Sequence, residues 1–255
     1  MTQTHEKVID VQNVSFWYNK RTIVLKNITF PIVKNDYLVI IGPNGGGKTT
    51  LLQLLAGLLK PKEGNIVYYP PSLKKRIGYV PQFSNYDKNV PLYVLDAIKL
   101  GNLKKYRFLG NRHEGIDEEF LALTKRLKLD MLLYKPINEL SGGQLQRVLI
   151  ARAIIGNPGI LLFDEPTTSI DSESRQIFQS VIRELNKTIP IVMVTHDVSA
   201  LAHDVKHIAC INQELYIHNA GEVTEETLEK VYGCPVDLIA HGVPHRVLKS
   251  HSGPK

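Results

Sequence analysis

Several features that define common classes of protein are absent from this sequence of 255 residues, or scarce in it. No apolar run reaches the roughly eighteen residues that a membrane-spanning helix needs, so we expect no segment to cross a bilayer. Residues 1–10 lack the apolar centre of a secretory signal peptide. The two cysteines, Cys210 and Cys234, cannot supply a disulfide framework, which favours a reducing compartment. Any membrane role is therefore expected to come through a partner.

The bulk composition indicates a folded domain. Apolar residues make up 43% of the sequence, which is enough to bury a substantial core. The formal net charge is +6, but the lysines and arginines are scattered along the chain. This charge is compatible with a nucleic acid, a membrane surface or a polyphosphate as partner, and it does not separate them.

Hydrophobic periodicity predicts an α/β fold: a parallel-sheet core, an antiparallel β edge and an inserted helical lobe. Continuous apolar runs typical of strands buried on both faces are found at Tyr37–Ile41, Ile160–Phe163 and Ile191–Val194. Other strands are predicted at Val8–Val14, Thr22–Ile32, Asn65–Tyr68 and Arg76–Val80, with a hairpin over Ile208–His218 that turns at Asn212–Gln213. Helices are predicted at Thr49–Leu59, Leu92–Leu103, Asp117–Leu133, Leu145–Ile155 and Ser172–Leu185, and from Leu228.

A glycine-rich turn between a predicted buried strand and a predicted helix indicates a phosphate-binding loop. The turn reads GPNGGGKT and matches the pattern G-x-x-x-x-G-K-[ST] in the required context. Glycines let backbone N–H groups surround a polyphosphate, and the helix N-terminus faces the same anion. Lys48 would place its charge at the β- and γ-phosphates, and the Thr49 hydroxyl would bind Mg²⁺. The alternative is an ordinary strand–turn–helix connection. Nucleotide contacts are predicted for Gly42, Pro43, Asn44, Gly45, Gly46, Gly47, Lys48, Thr49 and Thr50.

Two carboxylates follow directly after a predicted buried strand, at Asp164 and Glu165. Ligands of open α/β sheets bind at the carboxyl ends of the strands. Asp164 would hold Mg²⁺, and Glu165 would act as the general base on the attacking water. A strand end that turns into solvent is the alternative, but phosphoryl transfer needs such a carboxylate opposite the lysine of the phosphate loop.

A third motif, Leu140–Gln144, reads LSGGQ and opens a predicted helix. Ser141 is a plausible N-cap, and the two glycines leave the end of the helix open to an anion. The alternative is simply a capped helix.

With these motifs in this order, nearly the whole chain resembles the nucleotide-binding subunit of ABC transporters. The resemblance also rests on Gln82 after Val80–Pro81, on Asp171, and on His196 after the strand IVMVT. It implies a single ABC ATPase domain, with a core and β subdomain at about 5–88 and 157–220, a helical lobe at about 89–156 and a C-terminal extension at about 221–255.

The resemblance implies a head-to-tail homodimer that encloses ATP and Mg²⁺. Ser141, Gly142, Gly143 and Gln144 of one copy would complete the phosphate loop of the other. Gln82 would touch the metal or the attacking water, His196 would contact the γ-phosphate, and Asp171 would lie at the dimer interface.

Tyr18 matches the aromatic residue that stacks on adenine in this family. It could instead pack at the edge of a strand, and Phe16 and Trp17 compete for the stacking role. His196, likewise, could be a plain histidine at a strand end.

Two departures from the usual family pattern concern details of the site. Asn44 and Thr49 stand where serines are common, and Thr49 keeps the hydroxyl. The segment Thr167–Asp171 has Ser169 where many relatives carry a smaller residue or glycine, which leaves the detail of the interface open.

The resemblance implies separate integral membrane permease subunits, a peripheral location on the cytoplasmic face of the membrane, and an extracytoplasmic substrate-binding protein reached indirectly. No nucleic acid partner is expected. The segments Gly42–Thr50 and Gly233–His245 resemble subunits of zinc and manganese uptake systems, which predicts a divalent metal ion as cargo. Cys234, His241 and His245 could sense metal or form a structural turn.

Three alternatives to metal-ion import remain. The first is import of another cargo, such as an iron chelate, by the same mechanism. The second is a soluble ABC ATPase of the DNA-repair, chromosome-organising or translation type, which would require coiled coils or two ATP units that the sequence lacks. The third is a scaffold without turnover, which the presence of both Glu165 and His196 disfavours.

Overall fold

The computed structural model describes residues 6–19, 22–82, 91–106, 116–167, 171–195, 205–219, 236–240 and 244–248. The strands, in chain order, are β1 (Lys7–Asn19), β2 (Thr22–Val33), β3 (Tyr37–Ile41), β4 (Glu63–Tyr68), β5 (Ile77–Val80), β6 (Ile160–Asp164), β7 (Ile191–Val194), β8 (His207–Asn212), β9 (Glu214–Asn219), β10 (Val236–Ala240) and β11 (Pro244–Leu248). The α-helices are α1 (Lys48–Leu55), α2 (Val94–Lys99), α3 (Glu118–Arg126), α4 (Gly142–Ile155) and α5 (Ser172–Leu185). Short 3₁₀ helices lie at Pro71–Lys75, Leu100–Asn102, Asp130–Leu132 and Ile137–Glu139.

The chain divides into two compact units, one formed by Met1–Tyr69 with Val192–Lys255 and the other by Pro70–Ile191. The domain boundaries drawn from the sequence stay a prediction.

The first unit contains an antiparallel sheet with the strand order β2-β1-β4. Its inner face is formed on β1 by Ile9, Val11, Val14 and Phe16, all of which are buried. The period of two is broken between Val11 and Val14, where the register shifts and Asn13 takes a positive φ of 49°. This irregularity returns the apolar side chains to the inner face, because a strand without it would turn them outward.

The first unit also holds the parallel strands on which the phosphate loop depends. β3 lies between β7 and β8, and all five of its residues are buried. β3 and β8 run parallel with Ile41 opposite Cys210, and β8 turns at Gln213 into antiparallel β9. The hairpin predicted over Ile208–His218, with its turn at Asn212–Gln213, is therefore confirmed.

The second unit is built on α4 and on the parallel pair of strands β5 and β6. The register of the pair runs from Ile77 opposite Ile160 to Val80 opposite Phe163. Ten of the fourteen residues of α4 are buried, so this helix is the central element of its unit. Phe163 packs edge to face on Phe178 of α5, with ring centroids 5.3 Å apart.

Three predicted helices are shorter in the structure than the apolar spacing suggests. α1 ends at Leu55, and the other two end in separate 3₁₀ turns. After α3 the chain turns at Lys128, which has a φ of 52°, so that Leu127 and Leu129 are both fully buried. Apolar periodicity alone does not reveal such a turn, because the buried leucines continue across it.

Only part of the tail lies among the described residues. The helix predicted from Leu228 lies outside the described residues. β10 and β11 pair as an antiparallel hairpin with Ala240 opposite Pro244, which the sequence did not predict.

Candidate nucleotide-binding site

The loop that follows β3 folds around the side chain of Lys48, the first residue of α1. Its Nζ atom donates hydrogen bonds to the carbonyl oxygens of Gly42 at 3.0 Å and Pro43 at 2.8 Å. The Gly46 amide donates to the Pro43 carbonyl at 3.1 Å and closes the turn. Lys48 is only 6% exposed, so its charge is fixed within the loop rather than free in solvent.

Neighbouring strands hold the shape of this loop. Gly47, the N-cap of α1, has a φ of 97°, and a Cβ there would lie 2.6 Å from Leu25 Cδ2 on β2. A side chain at this position would therefore be strained, and it would also crowd the Leu25 side chain of β2. The Gln213 amide, at the β8–β9 turn, donates to the Gly46 carbonyl at 3.3 Å.

The predicted contact residues of the loop differ in exposure. Asn44, Gly45 and Thr49 are exposed, whereas Lys48 and Thr50 are buried. The first turn of α1 contains no acidic residue, so no carboxylate in that turn would oppose an anion at this helix end. Because Thr49 is exposed, its hydroxyl is accessible to an anion that approaches the loop.

Tyr18 is joined to the phosphate loop through Thr50, because the two hydroxyl oxygens lie 3.3 Å apart. The ring of Tyr18 is 64% exposed and packs edge to face on Phe16, with centroids 5.0 Å apart. Phe16 is 4% exposed and belongs to the core, so it cannot offer a face to a base. Trp17 is half-buried, and Tyr18 remains the predicted stacking residue.

In the second unit, Gln82 and Glu165 meet at the carboxyl ends of two parallel strands. Val80 is opposite Phe163, so the residues two positions further on reach the same level. Gln82 Nε2 donates to Glu165 Oε2 at 3.0 Å. Glu165 has a φ of 48°, a conformation that is rare for a residue with a side chain and that recurs where a function fixes the backbone.

Asp164, the last residue of β6, is 1% exposed. With Thr49 and Gln82, it makes up the set of side chains predicted to hold Mg²⁺. All three offer oxygen, the ligand that this hard cation prefers. The oxygen chemistry of this predicted donor set therefore fits Mg²⁺. Among the described residues, no group of three or more His, Cys, Asp or Glu could hold a metal ion.

The motif Leu140–Gln144, which we call the signature segment, is ordered by a capping box. Ser141 Oγ accepts from the Gln144 amide at 3.3 Å, and Gln144 Oε1 accepts from the Ser141 amide at 3.0 Å. The predicted N-cap is confirmed, and α4 starts at Gly142, three residues before the predicted start. Ser141 is exposed, Gly142 and Gln144 are half-buried, and Gly143 is buried.

Asp171 is the N-cap of α5 and uses both carboxylate oxygens within its own unit. Oδ1 accepts from the Ser174 amide at 2.8 Å, and Oδ2 accepts from the Ser174 hydroxyl at 2.9 Å. The amide and then the hydroxyl of Ser174 lower the pKa of Asp171, which keeps the cap charged. His196 and Ser169, which the sequence also singled out, lie outside the described residues.

Sequence reasoning missed two of these arrangements. The hydrogen bond between Gln82 and Glu165 could have been found by aligning the ends of the strands VPQ and FDE. The contacts of Ser174 had no such signal, because they depend on how α4 and α5 pack.

A strand, a phosphate loop closed on a lysine and a helix, together with a carboxylate-ending strand, define a P-loop nucleotide-binding protein. Comparison with known proteins gives the family: the ABC transporter family profile matches residues 25–168. The chain belongs to the ABC transporter family.

Individual relatives cover most of the chain. The zinc uptake system ATP-binding protein ZurA of Listeria monocytogenes is 37% identical over 218 residues, which are 82% of this chain and 84% of that protein. An ABC transporter assigned to the metal-chelate type, solved in an inward-facing conformation, has a TM-score of 0.81 at 27% identity and covers 95% of this chain and 97% of that one. The ATP-binding cassette MJ0796, a dimer bound to ADP and Pi, has a TM-score of 0.70 at 29% identity and covers 83% and 98%.

These findings make the chain an ATP-hydrolysing cassette coupled to transport. Among the described residues, no helix has both the length and the apolar character needed to span a membrane.

Proposed function

We propose that this chain is the ATP-hydrolysing subunit of an importer that carries a divalent metal ion, zinc or manganese. The observation that carries the proposal is the 37% identity to the zinc uptake protein ZurA, which extends over 82% of this chain. The cargo is then selected by membrane and extracytoplasmic partners, while this chain supplies the work of ATP hydrolysis.

Nucleotide binding begins at the phosphate loop. Lys48 exchanges its two carbonyl acceptors, Gly42 and Pro43, for oxygens of the β- and γ-phosphates, which carry more charge than a carbonyl. The exposed ring of Tyr18 stacks on adenine. The contact between the Tyr18 and Thr50 hydroxyls holds this ring near the start of α1. Mg²⁺ would be held by the Thr49 hydroxyl, Gln82 and Asp164, and it would neutralise phosphate charge when bound.

Hydrolysis requires a base next to the attacking water. Glu165 accepts a proton from that water as its oxygen bonds to the γ-phosphorus and the bond to the β–γ bridging oxygen of ADP breaks. Gln82, which donates to Glu165 at 3.0 Å, orients the carboxylate. His196, outside the described residues, contacts the γ-phosphate.

The site is completed by a second copy of the chain. Ser141 is exposed at the N-terminus of α4. The Ser141 hydroxyl and the positive end of the helix dipole can face the γ-phosphate of the ATP bound to a partner copy. Asp171 lies at the same interface. The relative MJ0796 is a dimer in its complex with ADP and Pi, which supports this arrangement.

The dimer works on separate integral membrane permease subunits from the cytoplasmic face of the membrane. A substrate-binding protein on the other side delivers the metal ion, so this chain needs no contact with its cargo.

A second candidate cargo is a metal chelate. It is favoured by the similarity in fold, with a TM-score of 0.81, to the transporter assigned to the metal-chelate type. The ATP chemistry of this chain is the same for either cargo.

Growth of a deletion strain tests the proposed cargo. We expect the strain to stop growing when zinc or manganese is chelated, to recover with the corresponding salt, and to contain less of that metal by mass spectrometry. The wild-type gene should restore growth, whereas the Lys48→Ala gene should not, because its product binds ATP too weakly.

Normal growth and normal metal content under both chelators would overturn the metal-ion proposal. A defect relieved only by a metal chelate, and not by the free salts, would instead support the second candidate.

A further inference from the structure

Three buried residues, Gly143, Arg147 and Ser174, and the exposed Asp171 join the N-terminal parts of α4 and α5. We call Gly143, Arg147, Asp171 and Ser174 the Ser174 cluster. The Ser174 hydroxyl is its centre: it accepts from Arg147 Nη1 at 3.0 Å and donates to Asp171 Oδ2 at 2.9 Å. The Ser174 amide donates to Asp171 Oδ1 at 2.8 Å. Every bond thus has a defined donor, and the serine connects a cation on α4 to the anion that caps α5.

Burial makes these bonds important. Ser174 is 2% exposed and Arg147 is 8% exposed. A charged group away from water is stable only when it is paired, and Arg147 Nε has no hydrogen-bond partner among the described residues. The bond from Nη1 to Ser174 is therefore a main polar contact of a buried guanidinium. Without the serine hydroxyl, Arg147 would lose the bond from Nη1 and Asp171 would lose the bond to Oδ2.

Gly143 brings the signature segment into the same cluster. A Cβ at Gly143 would lie 2.5 Å from Ser174 Oγ and 2.6 Å from Asp171 Oδ2. Carbon and oxygen atoms cannot approach so closely, so the segment reaches these two oxygens only because this residue has no side chain. Gly143 is itself buried, so its packing explains why glycine stands at this position, whether or not it contacts the nucleotide.

We propose that Ser174 is a positioning residue that locks the signature segment of α4 to Asp171, so that both are presented to a partner copy in one fixed geometry. The inference rests on the proposed function, in which Ser141 and Asp171 meet a second copy. The capping box at Ser141 and the cap at Asp171 each order one helix end. The Ser174 cluster orders the two ends relative to each other, since the Ser174 hydroxyl bonds both to Arg147 of α4 and to Asp171 at the start of α5.

The expected consequence is a change in kcat without a change in KM for ATP. ATP enters through the phosphate loop, which contains none of the cluster residues. The partner's signature segment and Asp171 matter only when two copies close on the nucleotide. A displacement of about 1 Å in a catalytic site can lower the reaction rate on the order of 100-fold. We expect Ser174→Ala to lower kcat about tenfold, because the Asp171 cap keeps its bond to the Ser174 amide.

Steady-state ATPase assays on the full chain test the inference, with Ser180→Ala as the matched control. Ser180 is an exposed serine on the same helix, and its hydroxyl donates to the Ile177 carbonyl of that helix. We expect Ser180→Ala to match the wild type and Ser174→Ala to lose kcat with KM for ATP unchanged, while circular dichroism stays native.

Arg147→Lys provides a second variant at the same cluster, and it keeps the charge. We expect it to lower kcat as well, and the double variant with Ser174→Ala to lose no more than Ser174→Ala alone, because both remove one connection. Independent, multiplicative losses would overturn the inference, as would an unchanged kcat in Ser174→Ala. If Ser174→Ala does not fold, the outcome for Arg147→Lys decides: a native kcat overturns the inference.

The Glu165→Gln background separates this inference from the proposed function. We expect Glu165→Gln to form a dimer with ATP, and the same dimer carrying Ser174→Ala to dissociate about tenfold more readily in light-scattering titrations. No ATP-dependent dimer with Glu165→Gln alone would count against the shared site itself. A dimer of equal strength in both variants would count against the role of Ser174 alone.

Discussion

Glu165→Gln is expected to reduce ATP turnover by about 10²–10⁴-fold, the usual contribution of a general base. Glutamine keeps the shape of the side chain, and its amide oxygen can still accept from Gln82 as the carboxylate does at 3.0 Å. It cannot take a proton from water. ATP binding should therefore persist, and the nucleotide should be retained in a dimer. Phosphate release and light scattering with ATP measure the two effects.

Glu173→Gln is the matched control for this substitution. Glu173 is an exposed carboxylate in the first turn of α5 and pairs with Lys128. Its removal should leave turnover near the wild-type rate, because exposed ion pairs contribute little. A Glu165→Gln variant that stays monomeric and hydrolyses ATP normally would contradict the role of Glu165 as base.

Lys48→Ala is expected to weaken ATP binding by at least about 100-fold. Two charge-assisted bonds to phosphate are lost, each worth about 1.5–3 kcal/mol, and about 1.4 kcal/mol corresponds to a factor of ten. The side chain also closes the loop on Gly42 and Pro43, so the empty loop loses its internal bonds as well. Binding of a fluorescent ATP analogue measures the effect.

Lys26→Ala controls for the loss of a positive charge in the same unit. Lys26 Nζ forms an exposed ion pair with Glu214 at 3.1 Å, and its backbone amide, which bonds to Gln213, is unaffected by the substitution. We expect native affinity for ATP. Equal affinity in the Lys48→Ala and wild-type proteins would rule out the assigned phosphate loop.

The features that could be predicted from sequence are those with short-range signals. The loop at Gly42–Thr49 combines a motif with a strand before it and a helix after it, and each is local. β6 and the two carboxylates at its carboxyl end are likewise signalled by four apolar residues and an acidic pair. The α5 boundaries, Ser172 and Leu185, also agree with the prediction, because an Asp cap and a strong apolar period mark them.

The features that could not be predicted depend on pairing between distant segments. Gln82 meets Glu165 because β5 and β6 share a register across 83 residues of sequence. Gly143 is packed against Asp171 and Ser174 only because α4 and α5 meet there. The turn at Lys128 interrupts an apolar period that would otherwise extend α3. Composition and residue spacing do not predict such contacts between distant segments.

Two copies of the chain are proposed to share each ATP site. Mixing two inactive variants, Lys48→Ala and Ser141→Arg, tests it most directly. In a mixed dimer with shared sites, one site receives both defects, and the other combines an intact phosphate loop with an intact signature segment. Random pairing at equal amounts makes half of the dimers mixed, and one of the two sites in each is intact, so we expect recovery of about a quarter of wild-type ATPase activity. Activity no greater than the sum of the two variants measured separately would contradict it.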